Sequence, residues 1–550
     1  MERPRRRRPA PPLRTASLKE SAHVSTTAVP APGLDREARR VFVGLMLGML
    51  VASVSQTIVS PAMPIIVAEL GGIEHYSWLA TAAMLASAVV VPVIGKLSDV
   101  YGRRGFYIAA LVTFMVGSVL SGFAQSFWWL VGARVVQGLG MGALMALSQT
   151  VIGDIIPPRQ RGKYQGLMGA VFGLTSIAGP LVGGWATDHF GWRWLFFATL
   201  PLGVAALVVI VRHLHLPHVR REAPLDLAGI LTLTGALVAI LLATSWGGTT
   251  YPWASTQVVG LYLAGAALLA MFVPIELRAV EPVLPLRLFR NRIFTAANIA
   301  GFAIAMGMFG AIFYIPVYAQ GVLGVNATNS GVIIMPMSVA MILVGIVIGL
   351  LITKTGTYKA FTVGGAAVLV AGFWLLTRVH YGSSALELTA AMVVIGMGLG
   401  ASMQTMTLIV QNAVDRADLG VATAATQFFR SAGGTVGIAV LGTVMTSRLG
   451  PSIAAHLPEG AASAMPEGGL SAGSVLDPSA LAGLPETIAV AVREGLADAL
   501  HQVFVVGLPF AAVALLATMA IRAIPLRQTL EPAATPDDVE EPAAAEDVLV

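Results

Sequence analysis

Apolar residues in this chain come in long runs of about twenty, divided by short breaks rich in Arg, Gly, Pro and Asp. A helix crosses a bilayer core of ~30 Å with about 20 apolar residues. In lipid each backbone amide and carbonyl must pair within its own segment, which favours helices. The runs predict fourteen spanning helices at about 41–62, 76–95, 106–124, 127–150, 164–186, 192–212, 227–246, 256–277, 295–320, 329–352, 359–379, 385–409, 419–446 and 500–522. The expected fold class is therefore an all-α membrane protein.

The loops between these runs alternate in charge. One set carries Lys96, Arg103 and Arg104, then Arg159, Arg161 and Lys163, then Arg212, Arg220 and Arg221. It continues through Arg287, Arg290 and Arg292, Lys354 and Lys359, Arg416, and Arg522 with Arg527. The other set is poor in cations. The positive-inside rule places the basic set, and both termini, in the cytoplasm. A bacterial plasma (inner) membrane protein with many passes is expected. Segment 447–499 then lies outside; its first part reads as flexible, and from Pro485 an amphipathic lead-in helix runs into the last span.

Composition sharpens this. The 550 residues are 56% hydrophobic and 11% charged, against ~25% charged in soluble domains. There are no cysteines, and the nine histidines show no metal-ligand spacing. No metal or cofactor is expected. No nucleophile or buried acid–base pair is legible, so an enzyme is not expected either. The Arg5–Arg8 run could bind nucleic acid, but beside a membrane span it reads as an anchor to anionic head groups; no nucleic acid partner is expected. The basic tail 1–40 and the acidic tail 523–550 read as disordered.

Three motifs carry chemistry. Gly95-Lys96-Leu97-Ser98-Asp99-Val100-Tyr101-Gly102-Arg103-Arg104 joins spans two and three. Gly95 allows close helix approach and Gly102 a tight turn. Arg103 and Arg104 can pair with a carboxylate or with helix C-terminal carbonyls. A conformational latch and an ordinary basic loop both fit these residues. Arg134 and Gln137 sit in span four, and Arg430 in span thirteen; charges inside a membrane are expensive and mark function or interhelical bonding. Span five holds Gly169 and Gly173, then Gly179-Pro180-Leu181-Val182-Gly183-Gly184. Its glycines make a flat packing face and Pro180 bends the helix.

The first motif resembles the signature loop of the major facilitator superfamily, with a weaker echo at Gly349–Gly356 that lacks the Asp. Arg134-Val135-Val136-Gln137-Gly138 resembles the superfamily's span-four motif, which implies a part in proton coupling. The Gly179–Gly184 stretch resembles the antiporter motif, which implies export. Trp192-Arg193-Trp194, Phe289–Arg292, Tyr314–Gly321 and Phe428–Gly434 are similar to the fourteen-span drug:proton antiporter family (QacA/EmrB-like). The resemblance runs from about 41 to 522. It implies a six-helix half over 41–212, a two-helix insertion with linkers over 213–292, and a second six-helix half over 293–522. It also implies a monomer that exports amphipathic molecules by alternating access, driven by the proton gradient. Export of a lipid or an endogenous metabolite would use the same fold.

One departure matters. The family's span-one acid is replaced by Ser55, and no acidic residue falls in the middle of a span. A buried proton carrier or a partner for a cationic drug is thus missing at mid-depth. Arg134 and Arg430 are expected to face the cavity, favouring neutral or anionic substrates. Ser55, Gln56, Gln137, Asn298 and Gln404 are candidate polar groups of the cavity, and each fits an interhelical hydrogen bond equally well. Proton coupling would rest on Asp99, Asp154, Asp188, Asp226 or His189.

Overall fold

The computed structural model describes residues 36–59, 62–70, 78–215, 226–248, 251–325, 327–457 and 485–526. Sixteen α-helices account for most of them. The first eight are α1 (Arg36–Thr57), α2 (Met63–Leu70), α3 (Trp78–Tyr101), α4 (Arg103–Gly122), α5 (Phe127–Ile155), α6 (Pro158–Phe190), α7 (Arg193–Phe197) and α8 (Leu200–His213). The pair α9 (Leu227–Trp246) and α10 (Thr256–Arg278) follows. The rest are α11 (Arg292–Gly321), α12 (Ala327–Thr355), α13 (Lys359–Leu376), α14 (Ala385–Ala413), α15 (Leu419–His456) and α16 (Glu486–Ala520). Fourteen helical segments among the described residues are long and apolar enough to cross a membrane.

Local chemistry sets many of the ends. Ser126, Ser255, Asp226 and Ser384 accept from backbone amides two or three residues into α5, α10, α9 and α14, satisfying donors that a first turn leaves unpaired. Asn291 caps α11 through Ile293 and Phe294, and its side-chain amide donates to the Ala413 carbonyl.

Helices α1 and α3–α8 pack as one bundle and α11–α16 as another, while α9 and α10 pack on each other and reach α3 and α15. The basic loops gather at one rim, here called the basic face. Their meeting is visible in bonds such as Lys163 N to Thr353 Oγ1 (3.2 Å) and Ile524 N to the Tyr358 hydroxyl (3.0 Å).

Two expectations need correction. Helix α1 begins at Arg36, so Arg36–Arg40 are helical rather than part of a disordered tail; residues 1–35, like the tail beyond 526, lie outside the described residues. Helix α15 runs on to His456, ten residues past the expected limit of 446. The lead-in from Pro485 forms the first turns of α16 and runs unbroken into the last span. The two extensions have one cause. Leu449 and Ile453 on α15 bury against Ile488, Val492 and Leu496 on α16, so each extension shields the other's apolar side. The 38 residues of α15 span about 57 Å at 1.5 Å per residue, well beyond a ~30 Å hydrocarbon core.

The seam between the bundles is closest where α6 crosses α12. A Cβ on Gly349 would strike the Gly162 carbonyl, and one on Gly162 would strike the Gly349 carbonyl. Only glycine allows two backbones this near. The Gly349→Leu variant should lose about 1–3 kcal/mol through overpacking, read as a lower unfolding temperature in detergent. Gly105→Ala, where a Cβ meets nothing within 4 Å, should leave that temperature unchanged or raise it slightly.

Candidate functional site

The signature loop builds a charged lock at the basic face. Gly102, with φ 98°, lies in the left-handed region and turns the chain from α3 into α4. This brings Arg103 back onto Asp99, with which it forms an ion pair. Arg103 Nε also donates to Asp154 Oδ2 at the end of α5 (2.8 Å), and Nη1 to Ser98 Oγ (2.9 Å). All three charged side chains are nearly buried, at 9%, 7% and 10% exposure for Arg103, Asp99 and Asp154. Arg104 instead donates to the Val211 carbonyl near the end of α8 (2.7 Å), the helix C-terminal contact that suits a cation.

Asp99 also reaches across the seam. Its Oδ2 accepts from Val421 N, in the first turn of α15, at 2.8 Å. The side chain of Asp418, the residue that should cap α15, makes no cap bond and pairs with Arg287 at 2.9 Å. One bundle thus caps a helix of the other. Gly420 and Gly95 make room: a Cβ on Gly420 would strike the Asp99 carboxylate, and one on Gly95 would strike Ala424. Further bonds close the same rim. Gln411 Nε2 donates to the Gln149 carbonyl (2.9 Å), and Arg161 Nη1 to the Gln411 carbonyl (3.4 Å).

Arg134 is buried elsewhere. Its guanidinium donates to the Leu79 carbonyl (3.1 Å) and Gln137 Oε1 (2.7 Å); Gln137 Nε2 donates to Ser118 Oγ (2.7 Å), which bonds the Thr199 hydroxyl (3.0 Å). The chain ties α5 to α3, α4 and the α7–α8 junction. Arg134 and Gln137 are therefore internal to the first bundle, contrary to the expectation that they face the cavity; neither lines it.

The antiporter motif packs α6 against the end of α1. A Cβ on Gly179 would strike Thr57, and one on Gly183 the Ile58 carbonyl; Gly173 abuts Ile342 of α12, and Gly184 meets nothing within 4 Å. The side chain of Pro180 lies outside the described residues. At this opposite face the Trp192-Arg193-Trp194 motif clamps α2. Glu69 accepts from Arg193 (2.6 Å) and Trp192 Nε1 (2.8 Å), and Arg193 stacks on the Trp192 ring. The two hydrogen bonds, Arg193's first, hold the Glu69 carboxyl below its ordinary 4.5. The clamp's contribution is present at neutral pH and is lost only as pH falls through that lowered value.

Between the bundles lies a cavity lined by α1, α3, α5 and α6 from one side and α11, α12, α14 and α15 from the other. Gln56, Gln149, Gln404 and Gln427 supply its polar surface, with six methionines and two phenylalanines supplying much of the apolar one. Arg430 lines it and donates to Gln427 Oε1. The Gln56 and Gln404 side-chain carbonyls have no protein partner. Of the expected cavity groups, Gln56, Gln404 and Arg430 are there. Ser55 and Asn298 are buried but do not line it; Asn298 donates to the Phe294 carbonyl of its own helix. Gln149 and Gln427 were missed, although a glutamine inside an apolar run is itself a signal.

Two helical bundles facing each other across a central cavity, with one rim locked, define a membrane transporter. The chain belongs to the major facilitator superfamily, whose family model matches residues 45–438, and it is of the fourteen-span type. It is 38% identical to the multidrug transporter protein MdtP of Bacillus subtilis (strain 168) over 502 residues, 88% of this chain and 93% of that one. Multidrug resistance protein 3 of the same organism is 35% identical, covering 74% and 79%. A transporter of the acurin A biosynthesis cluster of Aspergillus aculeatus is 34% identical, covering 73% and 74%. Among solved structures, the human organic anion transporter MFSD10 has the same fold, with a TM-score of 0.58 at 14% identity over 87% of this chain and 100% of that one.

The absence of cysteine makes the lock directly testable. A Lys163→Cys, Thr353→Cys pair should form a disulfide under mild oxidation and stop transport until reduced. Adding Asp99→Asn should lower the cross-linking yield, since α15 loses the charged half of its cap. Arg103→Ala should cost about 3–5 kcal/mol by leaving two buried carboxylates without a counter-charge, read as lower stability in detergent.

Proposed function

We propose that this protein exports amphipathic small molecules across a bacterial plasma membrane by alternating access, in exchange for protons, with the basic face in the cytoplasm. The observation that carries the reading is the lining of the cavity. Methionine is unbranched and polarisable, and adapts to ligands of different shape; glutamine offers both a donor and an acceptor. Such a surface suits a range of partly polar molecules better than one rigid substrate. The basic face is locked, so the cavity belongs to a state that releases towards the opposite face. Separation of the bundles at α3–α15 and α6–α12 would open it to the cytoplasm. One chain supplies the whole cavity, which supports a monomer as the working unit.

Among the described residues, Arg430 is the one charged group on the lining and no carboxylate joins it. Neutral and anionic amphiphiles are therefore the favoured class, because a buried cation would meet no negative partner. A second reading, export of an endogenous metabolite, is favoured by the likeness to the transporter of a fungal biosynthesis cluster; it would use the same cavity.

The test is transport in proteoliposomes with an imposed pH gradient, using ethidium as cation, chloramphenicol as neutral and fluorescein as anion. Fluorescein and chloramphenicol should move and ethidium should not; strong ethidium transport with neither of the others would overturn the substrate class. Arg430→Gln should remove about 1.5–3 kcal/mol from anion binding, raising the KM for fluorescein at least roughly tenfold while changing that for chloramphenicol little.

A further inference from the structure

The two inserted helices meet at the basic face in a pair of carboxyl groups. Asp226 caps α9, and Glu276 stands near the end of α10. Each commits one oxygen to a backbone amide: Asp226 Oδ1 accepts from Gly229 N at 2.7 Å, and Glu276 Oε1 from Leu284 N at 2.6 Å. The remaining oxygens, Asp226 Oδ2 and Glu276 Oε2, have no donor from the protein. Both lie against the same side of Gly229, within 3.0 Å of where a Cβ would stand there, so the two carboxyls are close neighbours. Glu276 is only 3% exposed. One proton held between two such carboxyls would turn their mutual repulsion into a hydrogen bond.

The charged surroundings tie this pair to the lock. Lys96 of α3, three residues before Asp99, holds Glu281 at 2.5 Å and acts electrostatically on Glu276. Asp418 at the head of α15 also feels Lys96, and is paired with Arg287. Glu276 from α10, Glu281 from the following linker and Asp418 from α15 thus share the influence of Lys96, and Asp418 also pairs with Arg287. Separation of α3 from α15 would alter the charges about Lys96, which is shared between the lock's helix and this pair.

We infer that Asp226 and Glu276 form a shared proton-binding site, and that the inserted helices thereby carry the coupling proton that the cavity has no carboxylate to hold. Whatever moves Lys96 changes the affinity of the pair for its proton, and by linkage the proton biases the lock. The inference rests on the proton-coupled reading above.

The experiment compares two modes of transport in phospholipid vesicles, using fluorescein and chloramphenicol with a trapped pH dye. Wild type should accumulate substrate against an imposed pH gradient, with proton movement, and should also exchange substrate without a gradient. Glu276→Gln and Asp226→Asn should each keep the exchange and lose both accumulation and proton movement; Glu276→Asp should restore part of them. Gradient-driven accumulation that survives in both variants overturns the site. Loss of exchange in both marks the pair as structural and overturns it too. Wild type that answers to a sodium gradient but not to a proton gradient would instead overturn the proton-coupled reading, and the site with it.

Discussion

A helix that cannot cap itself holds the two bundles together. The first turn of α15 presents unpaired amides and the positive end of a helix dipole, and the carboxylate that answers them, Asp99, comes from the other bundle. Asp99 in turn needs Arg103, which needs Asp154. Three nearly buried charges therefore depend on one turn at Gly102. Buried charges are tolerated only when paired and hydrogen-bonded, so this geometry is satisfied as a whole or lost as a whole. That all-or-none character suits a rim that must be either shut or open.

The glycine seam completes the logic. Charge gives the closed rim its direction, while the contact of bare backbone at Gly162 and Gly349 lets α6 and α12 lie flush without interlocking side chains. A seam of interdigitated leucines would resist separation; a smooth one opens mainly at the cost of dispersion contacts. The lock and the seam lie towards the basic face, and the cavity begins where they end, at Gln149 and Gln404. The locked rim and the ligand space are parts of one interface.

Charge is distributed unevenly between the cavity and the basic face. The cavity is lined by Arg430 and glutamines, and among the described residues its lining holds no carboxylate. Four carboxyls lie at the basic face: Asp99 and Asp154 around Arg103, and Asp226 with Glu276 between α9 and α10. Water and backbone amides are within reach at that depth, so a charged carboxyl is less costly there than at mid-membrane. The arrangement leaves the cavity free to take molecules that a buried acid would repel.

The apolar runs by themselves determined the number, class and approximate limits of the spans, because a bilayer accepts little else. The alternation of loop charges likewise grouped the loops that the structure brings to one face. The signature loop could be read as a lock or as an ordinary basic loop; only the fold brought the amide of Val421, more than three hundred residues away, onto Asp99. Arg134 and Arg430 gave the same signal, a cation deep in an apolar helix, yet one is spent on bonds within its bundle and the other opens onto the cavity. Gln137 and Gln404 part in the same way. Which face of a buried helix meets a cavity depends on the rotation of that helix against its neighbours, and a run that is apolar all round carries no mark of it. The long extension of α15 was hidden for a related reason: it persists beyond the bilayer because the first turns of α16 cover it. Composition and periodicity speak for one segment at a time, and the pairing of segments belongs to the folded molecule.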